Sequence, residues 1–252
     1  MTYTAIVLAG SRPGRDAFAE GHGTDLKALI PVGGEPMVRR PVRALLASES
    51  VGKVLVLSQA PKRIGAVLPE GAEVAGSQGT IAATILALCE NPATEWPLLV
   101  TTADHALLDT ATVDEFCNAA AGADIAIGVV ERAALMRRLP GTRRTWVKFR
   151  GGAYTGANLF ALRSPAVAPA LHLWRLVEQD RKKGWRLLLM FGPATLLGAG
   201  LRLLTLDNVL ARAGRKLGLT IKAVRLSNPL AGVDVDKSDD HALAEAILDG
   251  RA

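Results

Sequence analysis

Asp104 is expected at a position where a charge without a partner would be unfavourable in free energy. Asp104 follows residues 97–103, the most apolar of the predicted strands, so its carboxylate is expected close to the core. A buried charge without a partner is unfavourable, and Mg²⁺, which prefers oxygen ligands and bridges phosphates, is a suitable partner. The alternative is that Asp104 caps the next helix, although Asp109 or Thr110 is better placed to do so. The pattern therefore favours a metal site at Asp104.

A second candidate site is the loop that follows the first predicted strand, residues 3–9. A strand that ends in a loop with glycine and arginine offers backbone N–H groups and positive charge together, which suits phosphate. The loop from Gly10 to Arg15 has this composition, but alone it is equally compatible with an ordinary turn. Lys27 lies further along and adds a further cation to the segment. The segment is therefore a candidate phosphate site.

Residues 8–37 as a whole resemble the signature of nucleotidyltransferases with a GT-A-like α/β fold, LAGGxGxRMG…KxLxPVxGxPM. Residues 27–37 agree with it at every defined position, and Arg15 falls at the family's phosphate-binding arginine. Ser11 and Pro13 replace two of the family's glycines, but Ser11 can still present its backbone N–H. The resemblance implies that Lys27 and Arg15 are catalytic. The nucleotide-binding residues that it implies in the loop are Leu8, Ala9, Gly10, Ser11, Arg12 and Gly14.

Two carboxylates complete the metal site that the resemblance implies. Asp104 resembles the family's metal-binding aspartate, and Asp236 takes the second ligand position in a segment similar to the family's DVDTPEDL ending. Mg²⁺ held there would organise the α-phosphate and the leaving pyrophosphate. Asp234 is expected on the same strand face as Asp236. Asp239 and Asp240 are expected in the first turn of the last helix, where acidic residues suit the helix dipole without a catalytic role.

The loop at residues 76–80 follows a short predicted strand and opens a helix. Members of the family read the nucleobase at this loop, through backbone groups and a serine, threonine or glutamine. The resemblance therefore implies nucleotide binding by Gly76, Ser77, Gly79 and Thr80. A helix cap formed by Ser77 or Thr80 is an alternative that is compatible with this role.

Gly156 and Asn158 lie in a segment that resembles the GxNxF-type acceptor-facing segment of related enzymes. The resemblance implies that both face the acceptor, and a buried asparagine bonded to backbone is the alternative for Asn158. A group of basic residues lies upstream. These residues could bind an acceptor phosphate, but a solvated basic edge is the favoured interpretation for most of them. The basic residues are Arg143, Arg144, Lys148 and Arg150.

The elements that must position these residues alternate between strands and helices in the first half of the chain. Near-continuous apolar strands separated by helices predict a mostly parallel sheet covered on both faces, which binds ligands at the carboxyl ends of its strands. The predicted strands are residues 3–9, 53–58, 97–103, 124–130, 145–149, 157–162 and 219–226. The predicted helices are residues 36–48, 79–90, 110–121 and 239–249.

The chain is expected to form one domain over residues 1–252, since neither a linker nor a repeat divides it. Residues 1–130 form the nucleotide-binding half, and residues 131–252 form the acceptor-binding half with a helical insertion at about 164–217. The expected fold is a GT-A-like, Rossmann-like, three-layer α/β/α domain. The longest apolar stretch, residues 187–201, is too short to cross a bilayer as a helix, so burial is favoured over contact with a membrane surface.

The composition limits the partners of the chain. A net charge of +6 and a pI near 9.6 indicate anionic partners. Polyphosphate substrates are favoured over nucleic acid, because the basic residues are not interleaved with aromatic ones. Cys89 and Cys117 fall in apolar helical patterns and are expected to be buried hydrophobic residues. A cytoplasmic location is expected, since the N-terminus leads directly into a strand.

Together these features resemble the MobA-like and sugar-phosphate nucleotidyltransferases. The resemblance implies transfer of a nucleotidyl group from CTP, GTP or UTP to a phosphorylated sugar, polyol or cofactor, with release of pyrophosphate. A GT-A glycosyltransferase is an alternative, because Asp234-Val-Asp236 has the form of its metal motif. A catalytically silent nucleotide-binding regulator is another, supported by the changed glycine loop. Peripheral membrane association through the apolar basic block is a further hypothesis, and the sequence leaves the oligomeric state open.

Overall fold

A computed structural model of the chain describes residues 2–10, 14–77, 79–179 and 203–251. Its strands are β1 (Tyr3–Leu8), β2 (Pro31–Val32), β3 (Glu35–Pro36), β4 (Val51–Ser58), β5 (Ala72–Gly76), β6 (Leu98–Thr102), β7 (Ile125–Glu131), β8 (Val147–Phe149), β9 (Gly152–Leu162) and β10 (Ile221–Arg225). Eight of them form one sheet in the order β10-β7-β9-β6-β1-β4-β5, with β8 paired to β9. Every pair in it is parallel except those that involve β9.

Helices alternate with these strands. They are α1 (Ala17–Gly21), α2 (Arg39–Leu46), α3 (Pro61–Gly65), α4 (Ile81–Glu90), α5 (Thr110–Ala120), α6 (Arg132–Arg138), α7 (Ala168–Gln179), α8 (Leu206–Leu217) and α9 (Ser238–Leu248). The Asp109 side chain accepts the Thr112 N–H at 2.7 Å and begins α5, as the sequence indicates. The short helices α1, α3 and α6 lack an extended apolar pattern and were not predicted.

Both faces of the sheet are buried. Ala5 and Val7 of β1 belong to a cluster that includes residues of α2 and α5, whereas Ile6 and Leu8 belong to one that includes residues of α4 and α7. Burial on both faces explains why the strands are almost continuously apolar in sequence. The predicted three-layer, Rossmann-like α/β fold is confirmed.

The strand β9 departs from the predicted pattern. Residues 157–162 were expected to form a short strand, but β9 begins at Gly152 and runs antiparallel between β6 and β7. Its first half contains two glycines and lacks an apolar run, so sequence reasoning found only the second half. The register between β7 and β9 shifts between Ile127 and Val129, opposite Asn158. Asn158 has a φ of 48°, which an L side chain rarely adopts, so β9 is bulged there.

The predicted helical block at residues 164–217 is only partly described. The helix α7 packs against α4, and α8 packs against β10, so both cover the sheet. Residues 180–202, which include the apolar stretch 187–201, lie outside the described residues. None of the helices in the described ranges combines the length and the hydropathy that a bilayer crossing needs.

The site is positioned by strands that share one direction. The strands β6, β1, β4 and β5 are neighbours and parallel, so the loops that follow them begin at one edge of the sheet. In register, Leu8 at the end of β1 lies opposite Leu57 of β4 and Thr102 of β6. Ligands bind at this edge in open α/β sheets. Three of the candidate segments, those after β1, β5 and β6, therefore start at the same edge of the sheet.

Candidate active site

Lys27 joins the two aspartates that the sequence singled out. Its Nζ atom donates to Asp104 Oδ2 at 2.7 Å and to Asp236 Oδ1 at 2.5 Å. The side chains of Lys27 and Asp104 are about one-fifth exposed, whereas that of Asp236 is 59% exposed. Asp104 and Asp236 are 132 positions apart in the numbering, yet both reach one ammonium group. The structure thus brings three of the predicted site residues together.

The segment that carries Lys27 is a compact turn and hairpin. Residues 27–29 form a 3-10 turn, and β2 and β3 form a hairpin with Gly33 and Gly34 at its tip. Both glycines have positive φ, 62° and 77°, as a two-residue hairpin turn requires. The hairpin returns to the turn through the Met37 N–H, which donates to the Ile30 carbonyl at 2.8 Å. Residues 27–37 therefore fix the direction from which Lys27 enters the site.

Backbone bonds hold the two aspartates near each other. The Val235 N–H donates to the Asp104 carbonyl at 3.0 Å, which joins the segment before α9 to the end of β6. The Thr102 hydroxyl donates to Asp104 Oδ1 at 2.5 Å and orients that carboxylate. On the other side, α9 holds the Lys27 hairpin. His241 donates to the Pro31 carbonyl at 2.6 Å, and the Gly33 N–H donates to Glu245 Oε1 at 2.8 Å.

Asp234 was expected on the same strand face as Asp236, but neither residue lies in a strand. Residues 233–237 form neither helix nor strand, and the Asp234 carboxylate pairs with the buried guanidinium of Arg144. Arg144 also contacts Asp240 at 3.0 Å. A solvated edge was favoured for most of the basic group, and Arg143, Lys148 and Arg150 are exposed, whereas Arg144 is the exception. Asp239 and Asp240 lie in the first turn of α9, as predicted, and Asp240 in addition forms a buried ion pair with Arg144 that was not predicted.

The charges of the site shift one another's ionisation. Burial alone would lower the pKa of Lys27, but Asp104 and Asp236 outweigh it, and the pKa is raised. Burial raises the pKa of the Asp236 carboxyl, but the hydrogen bond and charge of Lys27 prevail and lower it below its ordinary value. Burial, followed by the charge of Asp236, raises the pKa of Asp234 to about 6 against the opposing charge of Arg144. Lys27 is therefore a firmly protonated cation.

The predicted phosphate loop is only partly described. Leu8 and Ala9 are buried, and Gly10 is exposed beside Gln59. A Cβ at Gly10 would lie 3.0 Å from the Gln59 amide nitrogen, so the backbone passes close to that side chain. Ser11 and Arg12 lie outside the described residues, as does Pro13. Gly14 is exposed, and the Arg15 guanidinium, also exposed, is bonded to Glu20 at 2.7 and 2.9 Å.

The predicted nucleobase loop follows β5 at the same edge. Thr80 caps α4 by accepting the Ala83 N–H at 3.3 Å, so the cap that was considered for it is present. The Ser77 N–H donates to the Ser58 carbonyl at 2.9 Å, but its hydroxyl oxygen is buried without a hydrogen-bond partner in the described part of the chain. A buried hydroxyl without a partner is costly, which indicates a ligand contact. Gly76 and Gly79 are exposed, and Gln78 lies outside the described residues.

The predicted acceptor segment lies on β9. Gly156 is exposed, and the half-buried Asn158 occupies the bulge with its φ of 48°. Backbone in this region costs free energy and is frequent at binding sites. The role of Asn158 as an acceptor ligand stays a prediction.

His105, next to Asp104, is a packed core residue. It is 1% exposed, and burial lowers its pKa to about 4 despite the raising effect of Asp104. Thr101 Oγ1 lies 3.4 Å from its Nδ1. A neutral ring inside the core has no route to a substrate proton. Cys117 is buried, as predicted, Cys89 is half-buried, and both are free thiols.

The donor set at Lys27 fits a magnesium ion that is shared with a substrate. Two carboxylates reach one point, and Mg²⁺ is usually held by one or two carboxylates together with substrate phosphates. Across the described ranges, no three His, Cys, Asp or Glu side chains form a group that could hold a metal by themselves. The residues therefore suit a cation whose remaining ligands come from water or from a triphosphate.

Sequence reasoning missed the residues that support the site. Arg144 and Asp240 form a buried ion pair beside Asp236, and His241 and Glu245 hold the Lys27 hairpin. A buried ion pair leaves little trace in a single sequence, because its partners are distant along the chain and resemble ordinary surface charges. The acidic start of α9 was the only available signal, and it admitted a simpler explanation.

Comparison with known proteins extends these observations. A hypothetical transferase from Thermus thermophilus is 33% identical to this chain, with a TM-score of 0.82, and the match covers 96% of this chain and 100% of that one. A 4-diphosphocytidyl-2C-methyl-D-erythritol synthase from Anaerococcus prevotii DSM 20548 is 10% identical over 98% of both chains, with a TM-score of 0.59. A CMP:2-keto-3-deoxy-manno-octonic acid synthetase complexed with CTP is 13% identical over 99% of this chain and 100% of that one, with a TM-score of 0.61.

At such low identity the two synthases show a shared fold alone. No curated protein sequence matches the chain significantly. The model of the MobA-like NTP transferase domain, however, matches residues 5–205, a stretch that includes Lys27 and Asp104. This chain therefore belongs to the MobA-like NTP transferase domain family and is an enzyme of the nucleotidyltransferase class.

Proposed function

We propose that the protein is a Mg²⁺-dependent nucleotidyltransferase that moves a nucleotidyl group from CTP, GTP or UTP to a phosphorylated sugar, polyol or cofactor and releases pyrophosphate. The observation that carries this proposal is the contact of Lys27 with both Asp104 and Asp236. It lies at the sheet edge where the candidate phosphate and nucleobase loops begin. A cation between two carboxylates beside such loops suits a triphosphate and its metal ion.

The reaction forms one bond and breaks one. A phosphate oxygen of the acceptor forms a bond with the α-phosphorus, and the bond from that phosphorus to the oxygen bridging to the β-phosphate breaks. The electron pair leaves with pyrophosphate. An acceptor phosphate is already ionised, so no general base is needed. A reaction without a general base is consistent with the state of His105, whose buried neutral ring could not serve as a general base.

The cationic and the acidic residues of the site have different proposed roles. Lys27 is held protonated and neutralises charge that develops around the α-phosphorus. Asp104 and Asp236 would hold Mg²⁺, which when bound neutralises phosphate charge and activates the phosphorus toward attack. Arg15 bonds to Glu20 in the structure, so binding of a phosphate by Arg15 requires exchange of that exposed carboxylate for the phosphate. Such an exchange costs little, because exposed ion pairs contribute little.

One loop and one strand are proposed to select the substrates. The unpartnered hydroxyl of Ser77 supports a hydrogen bond to the nucleobase at the loop after β5. The bulge at Asn158 supports an acceptor contact on β9. A cytoplasmic location and peripheral contact with membranes stay predictions, and sedimentation with anionic vesicles tests the second.

The glycosyltransferase alternative loses its main support. It rested on Asp234-Val-Asp236 acting as one metal motif, but Asp234 is bonded to Arg144 while Asp236 is bonded to Lys27. The silent-regulator alternative rested on Ser11 and Pro13, which the structure does not describe. Product analysis separates all three functions, because a glycosyltransferase releases a nucleoside diphosphate and a regulator releases neither product.

The proposal is tested in two stages. Thermal shifts with CTP, GTP, UTP and ATP, each with MgCl₂, identify the bound nucleotide, and pyrophosphate release is then measured against a library of sugar, polyol and cofactor phosphates. We expect release with at least one acceptor and its loss in Asp236→Asn. Lys53→Met, which removes an exposed lysine paired with Glu73, is the control and should stay active. Absence of pyrophosphate release with every pair of substrates contradicts the proposal.

A further inference from the structure

Arg144 has the surroundings of a structural anchor and not of a surface residue. It lies in the irregular segment between α6 and β8, and its side chain is only 8% exposed. One end of its guanidinium pairs with the Asp234 carboxylate. The other end, Nη2, donates to Asp240 Oδ1 at 3.0 Å and to the Asp234 carbonyl at 3.1 Å. One planar fork thus bonds two side chains and one backbone oxygen.

These bonds converge on the segment that presents Asp236. The second oxygen of Asp240 accepts the Asp236 N–H at 3.3 Å, so Arg144, Asp240 and the backbone of Asp236 form one connected group. Residues 233–237 lie in neither a helix nor a strand. The ends of the segment are held by the bond from the Val233 N–H to the Leu230 carbonyl and by the Lys237 carbonyl, which accepts the His241 N–H, and the Val235 N–H bonds to Asp104. Arg144 and Asp240 bond the backbone on either side of Val235, at the Asp234 carbonyl and the Asp236 N–H.

We propose that Arg144 is a positioning residue, which holds residues 234–236 through Asp240 and so directs the Asp236 carboxylate towards Lys27 and Asp104. The inference rests on the proposed function, in which Asp236 binds the metal ion. The described hydrogen bonds of Arg144 reach Asp234 and Asp240 and not Lys27 or Asp104, so apart from its charge it acts on the site through the backbone of the segment. The fork geometry matters here, because three acceptors in different directions need several fixed donors.

A simple effect of charge predicts the opposite result from positioning. A positive charge beside the carboxylates opposes the binding of a divalent cation, so its removal should strengthen cation binding if charge alone acts. If Arg144 positions Asp236, its removal should weaken cation binding although a repelling charge is lost. Lysine keeps the charge but offers one ammonium in place of the planar fork. Arg144→Lys and Arg144→Met therefore separate the two effects.

The probe is Mn²⁺ alone, which favours the same oxygen ligands as Mg²⁺ and whose binding is followed by electron paramagnetic resonance. For Arg144→Lys we expect about a tenfold weaker affinity for Mn²⁺, as is typical when a residue that orients a metal ligand is lost. Arg144→Met should also bind Mn²⁺ more weakly, provided that it folds. Phe116→Leu, a change in the core at α5, is a control for lost stability, and it should lower the melting temperature without a change in Mn²⁺ affinity.

The outcomes are distinct. Unchanged affinity in Arg144→Lys, or an equal loss in Phe116→Leu, overturns the inference, as does a wild-type protein that binds no Mn²⁺. Weaker binding in both Arg144 variants supports it. Pyrophosphate release is measured separately on the wild-type protein with its nucleotide and acceptor. If that assay fails while Mn²⁺ binding still depends on Arg144, the proposed reaction is wrong and the positioning role stands.

Discussion

Replacing Lys27 by methionine removes the ammonium that bonds Asp104 and Asp236 and keeps most of the apolar volume of the side chain. The variant leaves two carboxylates facing each other without the cation between them. Two consequences follow from this one change. Stability should fall because the ion pairs are lost, and transfer should fall because charge at the α-phosphorus is no longer neutralised.

The magnitude follows from the burial of the two pairs. The Lys27–Asp104 bond joins side chains that are each about four-fifths buried, and a hydrogen bond between such charged groups contributes about 2 kcal/mol. The Lys27–Asp236 bond adds at most about 0.5 kcal/mol, because Asp236 is 59% exposed. We therefore expect Lys27→Met to lower the free energy of unfolding at pH 7 by about 2 kcal/mol. Loss of one charge-stabilising donor lowers kcat by about 100- to 1000-fold.

The dependence on pH has a defined sign. Lys27 lowers the pKa of Asp236 below its ordinary value, so the folded state favours the ionised carboxylate. That contribution is present above about pH 4 and is lost as the pH falls through the lowered pKa. The stability difference between wild type and Lys27→Met should thus be largest near neutral pH and narrow in acid.

Urea denaturation at several pH values, together with pyrophosphate release, checks these values. Mg²⁺ provides a further signature, because it no longer competes with an ammonium group for the two aspartates. It should raise the melting temperature of Lys27→Met more than that of the wild type, even though transfer by the variant is slower. Equal stability of the two proteins at pH 7, or a kcat within threefold of the wild-type value, would refute the reasoning.

Further predictions concern residues around the site. Ser77→Ala should leave the melting temperature of the free protein unchanged and reduce the thermal shift that the nucleotide causes. Thr80→Ala should instead lower the free energy of unfolding by about 1 kcal/mol, because the cap of α4 is lost. Equal effects of the two substitutions on stability would contradict this contrast. Burial lowers the pKa of His105 to about 4, so the neutral ring contributes fully to stability above about pH 6.5. The free energy of unfolding should therefore fall by about 3 kcal/mol between about pH 6.5 and pH 4. Denaturation curves of His105→Gln should lack that decline. Burial raises the pKa of Cys89 to about 11 and that of Cys117 to about 12. Iodoacetamide should therefore label neither thiol appreciably in the folded protein at pH 8, and both should react once urea unfolds the chain. Rapid labelling of the folded protein would contradict this expectation.

The sheet could be predicted because its physical cause is local. Strands that are buried on both faces are almost continuously apolar, and the helices between them separate these runs clearly. The strand β9 was only half recognised, because its pairing with β6 and β7 on both sides, and not its composition, makes Gly152–Leu162 one strand. The bulge at Asn158 is likewise a product of that pairing.

A site residue could be predicted from the sequence where the fold alone does not explain its type. Asp104 is such a residue, since a carboxylate after a buried strand needs a partner. Arg144 and Asp240 could not be found in the same way, because each is an ordinary charged residue until the fold buries it. The position of Asp240 in the first turn of α9 was predicted, but its ion pair with Arg144 was not.

The segment from Lys27 to Met37 matches its signature closely, yet within it only Lys27 directs a charge at the aspartates. Ile30, Val32 and Met37 are fully buried, and the two glycines at the hairpin tip have the positive φ that the turn requires. These residues fix the hairpin against α9, which itself follows Asp236. The signature thus specifies a rigid support whose effect is to hold one ammonium group at a fixed place. A substitution such as Met37→Ala should for that reason reduce activity mainly through Lys27, with a loss of stability of about 2 to 5 kcal/mol from the cavity that it creates.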